Sequence, residues 1–256
     1  MQLDGGSALV TGGSGGLGSA TVRHLVSIGM TIVILDHNSA GAEAVAEAFS
    51  GRAVAVEGDV TDDAGVASAV ETAAARRPLR LVVNVAGGGV ASQRMVGRDG
   101  TPHDRFAFEL TMAINALGTF NVSRLAAVAM AQNEPDEDRQ RGVIVNTSSL
   151  AGLEGQAGQV AYAAAKAAVA GLTLPMARDL APLGIRVCAI APGTLETPVF
   201  EKAPEALKER LVADVVFPKR MGRPEEFAYL VETIACNPYL NGEVIRLDGA
   251  LRFPPK

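Results

Sequence analysis

The hydrophobic positions change period repeatedly along the chain. Short apolar runs at 7–11, 31–35, 53–56, 79–84, 142–147 and 185–190 read as buried strands. Between them, apolar residues recur at helical spacing over 19–28, stopping at Gly29, and over 40–49, 62–76, about 103–130 and 159–180. Residues 194–238 read as helix and loop, and 241–247 supplies a closing strand. Strand alternating with helix implies parallel pairing, because each crossover needs a helix to return the chain. The expectation is an α/β fold: one Rossmann-like domain over 1–256, with a doubly wound seven-stranded parallel sheet flanked by helices. No linker, charge run or internal repeat divides the 256 residues.

Composition narrows the partners. Hydrophobic residues make up 48% of the chain but aromatics only 4%, with no Trp, so the core must be aliphatic. A net charge of -5 without a basic stripe argues against nucleic acid. Cys188 and Cys236 form neither a disulfide framework nor a ligand cluster, so a reducing compartment and no metal are expected. The first residues lack the pattern of a secretion or transit signal, which points to the cytoplasm. The Ala-rich stretch 159–177 contains Lys166 and Pro175, which suits a buried or interface helix better than a membrane span.

Chemistry enters at the first strand-to-helix turn, Thr11-Gly12-Gly13-Ser14-Gly15-Gly16-Leu17-Gly18. Glycines there let backbone N–H groups and a helix N-terminus face a pyrophosphate. Two registers fit, Gly13, Gly15 and Gly18 or Gly12, Gly16 and Gly18. Asp36, at the end of the second strand, reads by itself equally as a turn former or helix cap, or as an acceptor for both adenosine ribose hydroxyls that would repel a 2′-phosphate. Together they point to NAD. Asp59-Val60 after the third strand reads equally as an adenine contact or as a helix cap.

Tyr162 and Lys166 stand at i and i+4, on one face of an Ala-rich helix. An adjacent ammonium lowers a phenol toward working pH, as a general acid/base at a hydroxyl requires; the same pair would also suit an interface tyrosine beside a snorkelling lysine. Ser149 follows a strand, where it reads as the holder of a substrate oxygen or as a plain loop residue. Asn115, in the long helix, reads as a water holder or a plain helix polar residue.

In this order and spacing, Thr11-Gly12 with Gly16 and Gly18, Asp36, Asp59-Val60, Asn84-Val85-Ala86-Gly87, Asn115, Ser149, Tyr162 with Lys166, and Pro192-Gly193 resemble the short-chain dehydrogenase/reductase family over essentially the whole chain. The resemblance implies catalytic residues at Asn115, Ser149, Tyr162 and Lys166, and selects the register Gly12, Gly16 and Gly18. It implies cofactor contacts at those glycines, Gly15, Leu17, Asp36, Asp59, Val60, Asn84, Val85, Ala86, Gly87, Tyr162, Lys166, Pro192, Gly193, Leu195 and Thr197. Substrate contacts would fall at Ser149, Gln156 and Tyr162.

Further runs, among them Gln132-Asn133-Glu134-Pro135, Glu154-Gly155-Gln156 and Asn241 to Ala250, resemble the type 2 3-hydroxyacyl-CoA dehydrogenase branch, whose members also oxidise hydroxysteroids. That branch implies NAD, short acyl-CoA substrates and homotetramers. This chain departs from it at Gly15, where Ser is usual, and at Ser148, usually a small apolar residue; the spacing of 13 to Tyr162 favours Ser149 over Ser148. A third departure, Glu196, would have to face water or pair with Lys202 or Lys219 for an acyl-CoA to fit. The segment from Thr194 to about Phe217 is expected to close over the substrate as a lid.

Overall fold

The computed structural model describes residues 1–90, 92–198 and 204–254. Seven strands form one sheet: β1 Ser7–Thr11, β2 Thr31–Asp36, β3 Ala53–Glu57, β4 Leu79–Asn84, β5 Gly142–Thr147, β6 Ile185–Pro192 and β7 Val244–Leu247. Their order is β3-β2-β1-β4-β5-β6-β7, and every pairing is parallel. Strands β1, β5 and β6 are buried along their whole length, as expected where helices cover both faces and no polar edge is needed. The pleat sends alternate side chains to opposite layers. Ala8, Val10, Ile32 and Ile34 pack with Leu25, Phe227 and Val231 on one face, and Leu9, Val33 and Leu35 with Val66, Val122 and Met130 on the other.

The helices are α1 Gly16–Ser27, α2 Ser39–Glu47, α3 Asp63–Arg76, α4 Arg105–Met112, α5 Gly118–Ala131, α6 Leu150–Leu153, α7 Val160–Leu180, α8 Glu205–Val212 and α9 Pro224–Cys236. The chain winds outward through β2 and β3 on one side of β1 and through β4 to β7 on the other. The crevice at the carboxyl ends of β1 and β4 is therefore the switch point where such sheets bind ligands.

Two local expectations are corrected, and one short element is added. The helix anticipated over 103–130 starts at Arg105, capped by Asp104, and a π-turn at Ala113–Leu117 separates α4 from α5. That turn carries Asn115, so the irregularity lies where a polar side chain enters the interior. The closing strand is shorter than 241–247: Gly242 adopts φ +76° and Asn241 accepts from Val187 N at 2.9 Å, which makes this stretch a turn onto β6. The one-turn helix α6 follows Ser149, where periodicity cannot register so short an element.

By length and composition 160–183 would pass for a bilayer span. In the fold α7 lies against β6, α4 and α6, and carries Tyr162 and Lys166 at its amino end.

Candidate active site

The glycine loop is shaped by close backbone approaches. Gly12 sits at φ +68°, and a Cβ there would lie 2.8 Å from the Ala86 nitrogen and Cα; one at Gly18 would enter the Gly12 carbonyl; one at Gly16 would lie 2.7 Å from the Pro198 ring. The register Gly12, Gly16 and Gly18 therefore carries the steric demands of the turn. Gly13 is confined too, by Ile34. Gly15 has φ -78° and ψ 168°, extended backbone open to any residue, so glycine is not required there.

The amino end of α1 has no side-chain cap and no acidic residue in its first turn, which leaves its N–H groups to an anion. Leu17 packs against the core. Asp36, 4% exposed, accepts from Ser14 N at 2.9 Å and Asn38 N at 3.0 Å. The carboxylate thus braces the glycine loop. These features fit a dinucleotide: a backbone cradle without Cβ atoms, an uncapped helix end, and an acid at the second strand.

Asp59 holds a local turn, accepting from the Thr61 amide and hydroxyl, each at 2.8 Å, while Asp62 rather than Asp59 caps α3. Val60 is buried against Gly118, and its carbonyl accepts from Asn121 at 3.0 Å. Asn84, at the end of β4, commits its side-chain nitrogen inside the fold. Its amide donates to Ser123 Oγ and Asn146 Oδ1 at 3.0 and 2.9 Å, tying β4 to α5 and β5.

The backbone of Val85, Ala86 and Gly87 borders the crevice, and Thr11 positions it by accepting from Val85 N and Ala86 N at 3.1 and 3.0 Å. Thr11 was not among the expected site residues. Its signal was available: a hydroxyl at a strand end just before a left-handed glycine.

Ser149 is the N-cap of α6, with Oγ accepting from Ala151 N at 3.1 Å. Burial raises the Tyr162 phenol above its usual pKa, and a hydrogen bond with Ser149 opposes that rise. Lys166, 3% exposed, donates from Nζ to the Thr147 carbonyl at 2.8 Å, and Nζ lies 5.8 Å from the Tyr162 ring centre. Burial lowers its pKa to about 8. In the free protein desolvation is the largest influence on both groups, and the ammonium is hydrogen-bonded to the Thr147 carbonyl.

Asn115 is fully buried and its amide is committed, accepting from Gly88 N at 3.0 Å and donating to the Gly88 and Thr111 carbonyls at 2.9 and 2.8 Å. Its side chain is a structural brace. It holds the Gly87-Gly88 turn so close that a Cβ on Gly87 would meet Asn115 Oδ1 and come 3.2 Å from Lys166 Nζ.

Pro192 ends β6, and Gly193 N donates to the Leu247 carbonyl at 2.9 Å. Leu195 is buried and bridges to Gly222, and Thr197 lies beside Gly16, so this segment returns over the glycine loop. Gln156 is half-buried, and its side chain makes no hydrogen bond among the described residues. Glu196 is exposed on a cavity of about 560 Å³ that Arg23 and Lys208 also line. Pairing with Lys219 is not found: Lys219 donates to the Ala213 carbonyl at 2.6 Å, and Arg220 is the cation whose charge Glu196 supports. Lys202 and part of the expected lid lie outside the described residues; α8 is the described portion.

A doubly wound parallel sheet whose crevice brings a glycine cradle to a Ser, Tyr and Lys set defines an oxidoreductase that transfers hydride with a dinucleotide. The short chain dehydrogenase family model matches residues 7–208, and the chain belongs to that family. It is therefore an oxidoreductase that uses a nicotinamide dinucleotide. It is 47% identical to the human 3-hydroxyacyl-CoA dehydrogenase type-2 over 249 residues, covering 97% of this chain and 95% of that protein. A 3-oxoacyl-[acyl-carrier-protein] reductase from Thermotoga maritima is 32% identical over 256 residues, covering 98% of this chain and 99% of that protein. The crystal structure of 3-hydroxyacyl-CoA dehydrogenase type-2 from Mycobacterium avium superposes with a TM-score of 0.96, at 49% identity and 98% coverage of both chains.

Proposed function

We propose that the protein interconverts 3-hydroxyacyl-CoA and 3-ketoacyl-CoA thioesters with NAD. The observation that supports the cofactor choice is Asp36, a buried carboxylate beside the glycine loop, where the adenosine ribose would lie. A 2′-phosphate beside it would pay Coulomb repulsion in a poorly solvated site, which favours NAD over NADP and weighs against a reductase of carrier-protein thioesters that prefers NADPH. Support for the substrate class is the identity to 3-hydroxyacyl-CoA dehydrogenases type-2 across nearly the full chain.

Bound NAD supplies the hydride acceptor. Ser149 holds the substrate oxygen, and Tyr162 removes its proton on oxidation and returns it on reduction. Lys166, kept close by the Thr147 carbonyl, lends positive charge to the phenol as it ionises. Gln156, with an uncommitted amide two residues past α6 and its C-cap, is offered to the thioester carbonyl.

A homotetramer in the cytoplasm completes the proposal. Exposed Phe106 on α4, Leu117 in the π-turn, Phe120 and Val128 on α5, and Leu174 on α7 support burial against another subunit; both cysteines are free. The deciding experiment measures NADH oxidation with acetoacetyl-CoA, a 17-ketosteroid and a small ketone, repeated with NADPH. Saturable turnover of acetoacetyl-CoA with NADH is expected, and preference for either other ketone overturns the substrate.

A further inference from the structure

Ser149 and Gln156 flank a helix of four residues, Leu150–Leu153, too short to hold its own position. What fixes it is tertiary. Leu150 packs in a small cluster with Val215, beyond α8, and Leu251, near the carboxyl end. Gly152 approaches α7 so closely that a Cβ would lie 2.6 Å from the Ala167 nitrogen. The C-cap residue, Glu154, enters an ion-pair network: Oε1 accepts from Arg246 Nη1 at 2.7 Å and faces Arg252 Nε at 3.4 Å, while Oε2 accepts from Phe253 N at 3.1 Å.

Arg246 is the hub. Its Nε donates to Asp248 Oδ2 at 2.7 Å and its Nη2 to the Leu251 carbonyl at 2.9 Å. Asp248 is 8% exposed at its side chain, and its Cβ would lie 2.9 Å from a Cβ placed on Gly193, at the exit of β6. Two carboxylates and two guanidiniums thus close a partly buried network over 92 residues of sequence separation. Networks of this kind hold geometry better than isolated surface pairs, because each hydrogen bond restrains the next.

We propose that Glu154 and Arg246 are positioning residues that lock the turn carrying Ser149 and Gln156 to the carboxyl-terminal segment, and so set where the substrate carbonyl sits. Neither touches the reacting atoms. The role rests on the reading of Ser149 and Gln156 as substrate contacts. Among the described residues the network meets the cofactor cradle at its edge, where Asp248 packs beside Gly193 and shares a cavity with Thr194 and Leu195, so loosening it acts on the substrate, through Ser149 and Gln156, more than on NADH.

The test compares the full-length protein with Glu154→Ala, Arg246→Met and the double variant, by amide hydrogen exchange over 149–159, by NADH affinity, and by kcat and KM for acetoacetyl-CoA. Each single variant is expected to speed exchange over 149–159, raise KM about tenfold and lower kcat several-fold, with NADH affinity within about twofold. The double variant should be no worse than the more affected single one, and Glu154→Gln, which keeps the shape and one acceptor, should recover part of the KM.

Additive effects, a fall in kcat at constant KM, or unchanged exchange overturns the proposal. If Arg246→Met does not fold, Glu154→Ala alone decides through exchange and a rise in KM at constant NADH affinity. If the wild-type protein does not turn over acetoacetyl-CoA, the substrate reading fails, while the exchange comparison still decides whether the network holds the turn.

Discussion

The Ser148 hydroxyl donates to the main-chain carbonyl of Lys166 at 2.9 Å, so the first of two adjacent serines is spent inside the fold. Ser148 is 1% exposed, whereas Ser149 directs its oxygen to the turn facing Tyr162. Ser149→Ala is therefore expected to cut kcat by about 100-fold or more, from loss of the hydroxyl that orients the reacting oxygen. Ser148→Ala should leave kcat within a few-fold and cost about 1 kcal/mol of stability. Rate measurements and denaturant unfolding on the two variants check this, and the reverse ranking would transfer the catalytic label to Ser148.

Asp36 is both a charge and a brace, because its two oxygens accept from Ser14 N and Asn38 N. The wild-type protein is expected to prefer NADH over NADPH by about 100-fold or more in kcat/KM. Asp36→Asn keeps one acceptor and removes the charge, so the preference should shrink by about tenfold while NADH turnover falls less. Equal use of both cofactors by the wild-type protein would remove Asp36 from the ribose site.

The parts legible in the sequence are those set by local spacing. Glycines 12, 16 and 18, the i, i+4 pair of Tyr162 and Lys166, and the alternation behind the seven-stranded sheet all lie within one turn or one period. Contacts between remote segments were not legible. Nothing near Asn84 announces that its amide reaches Ser123 and Asn146, and nothing near Glu154 announces Arg246. The π-turn at Asn115 escaped because one extra residue barely disturbs a helical pattern.

The Lys166 pKa of about 8, lowered from 10.5 by burial, has a consequence for stability. Between those values the unfolded chain holds a proton that the folded chain has released, so this group adds stability as pH rises through the window. Below pH 8 the folded protein carries the full cost of the buried charge, roughly 3 kcal/mol. Lys166→Met should therefore be inactive yet more stable at pH 7, by about 1 to 2 kcal/mol after loss of the Thr147 hydrogen bond. The gain should shrink at pH 10. A variant less stable than wild type at pH 7 would contradict a charged, desolvated Lys166.

Because burial raises the Tyr162 phenol, the free protein carries it protonated at neutral pH. Reduction, which consumes that proton, should run at a steady kcat/KM through neutrality and decline above about pH 8 as Lys166 discharges. Oxidation needs the phenolate, so its kcat/KM should climb with pH above neutrality. Tyr162→Phe should abolish both directions while retaining NADH binding, read by titration. Substantial turnover by that variant would place the proton-transfer group elsewhere.

The last prediction concerns Glu196, whose carboxylate meets solvent on the cavity shared with Arg23 and Lys208 and near Arg220. An exposed charge there acts on a CoA phosphate only through water and ions, and at 0.15 M salt the screening length is about 8 Å. Glu196→Gly should therefore change the KM for acetoacetyl-CoA by less than about threefold at that ionic strength, and by up to about tenfold near 0.01 M, where screening reaches about 30 Å. A small uncharged ketone should show no such difference at either salt. The comparison separates a carboxylate that merely lowers the local potential from one that blocks the site, since a steric block would persist at high salt. If neither protein shows saturable activity on acetoacetyl-CoA at neutral pH, the acyl-CoA assignment falls and the substrate must be sought among other secondary alcohols.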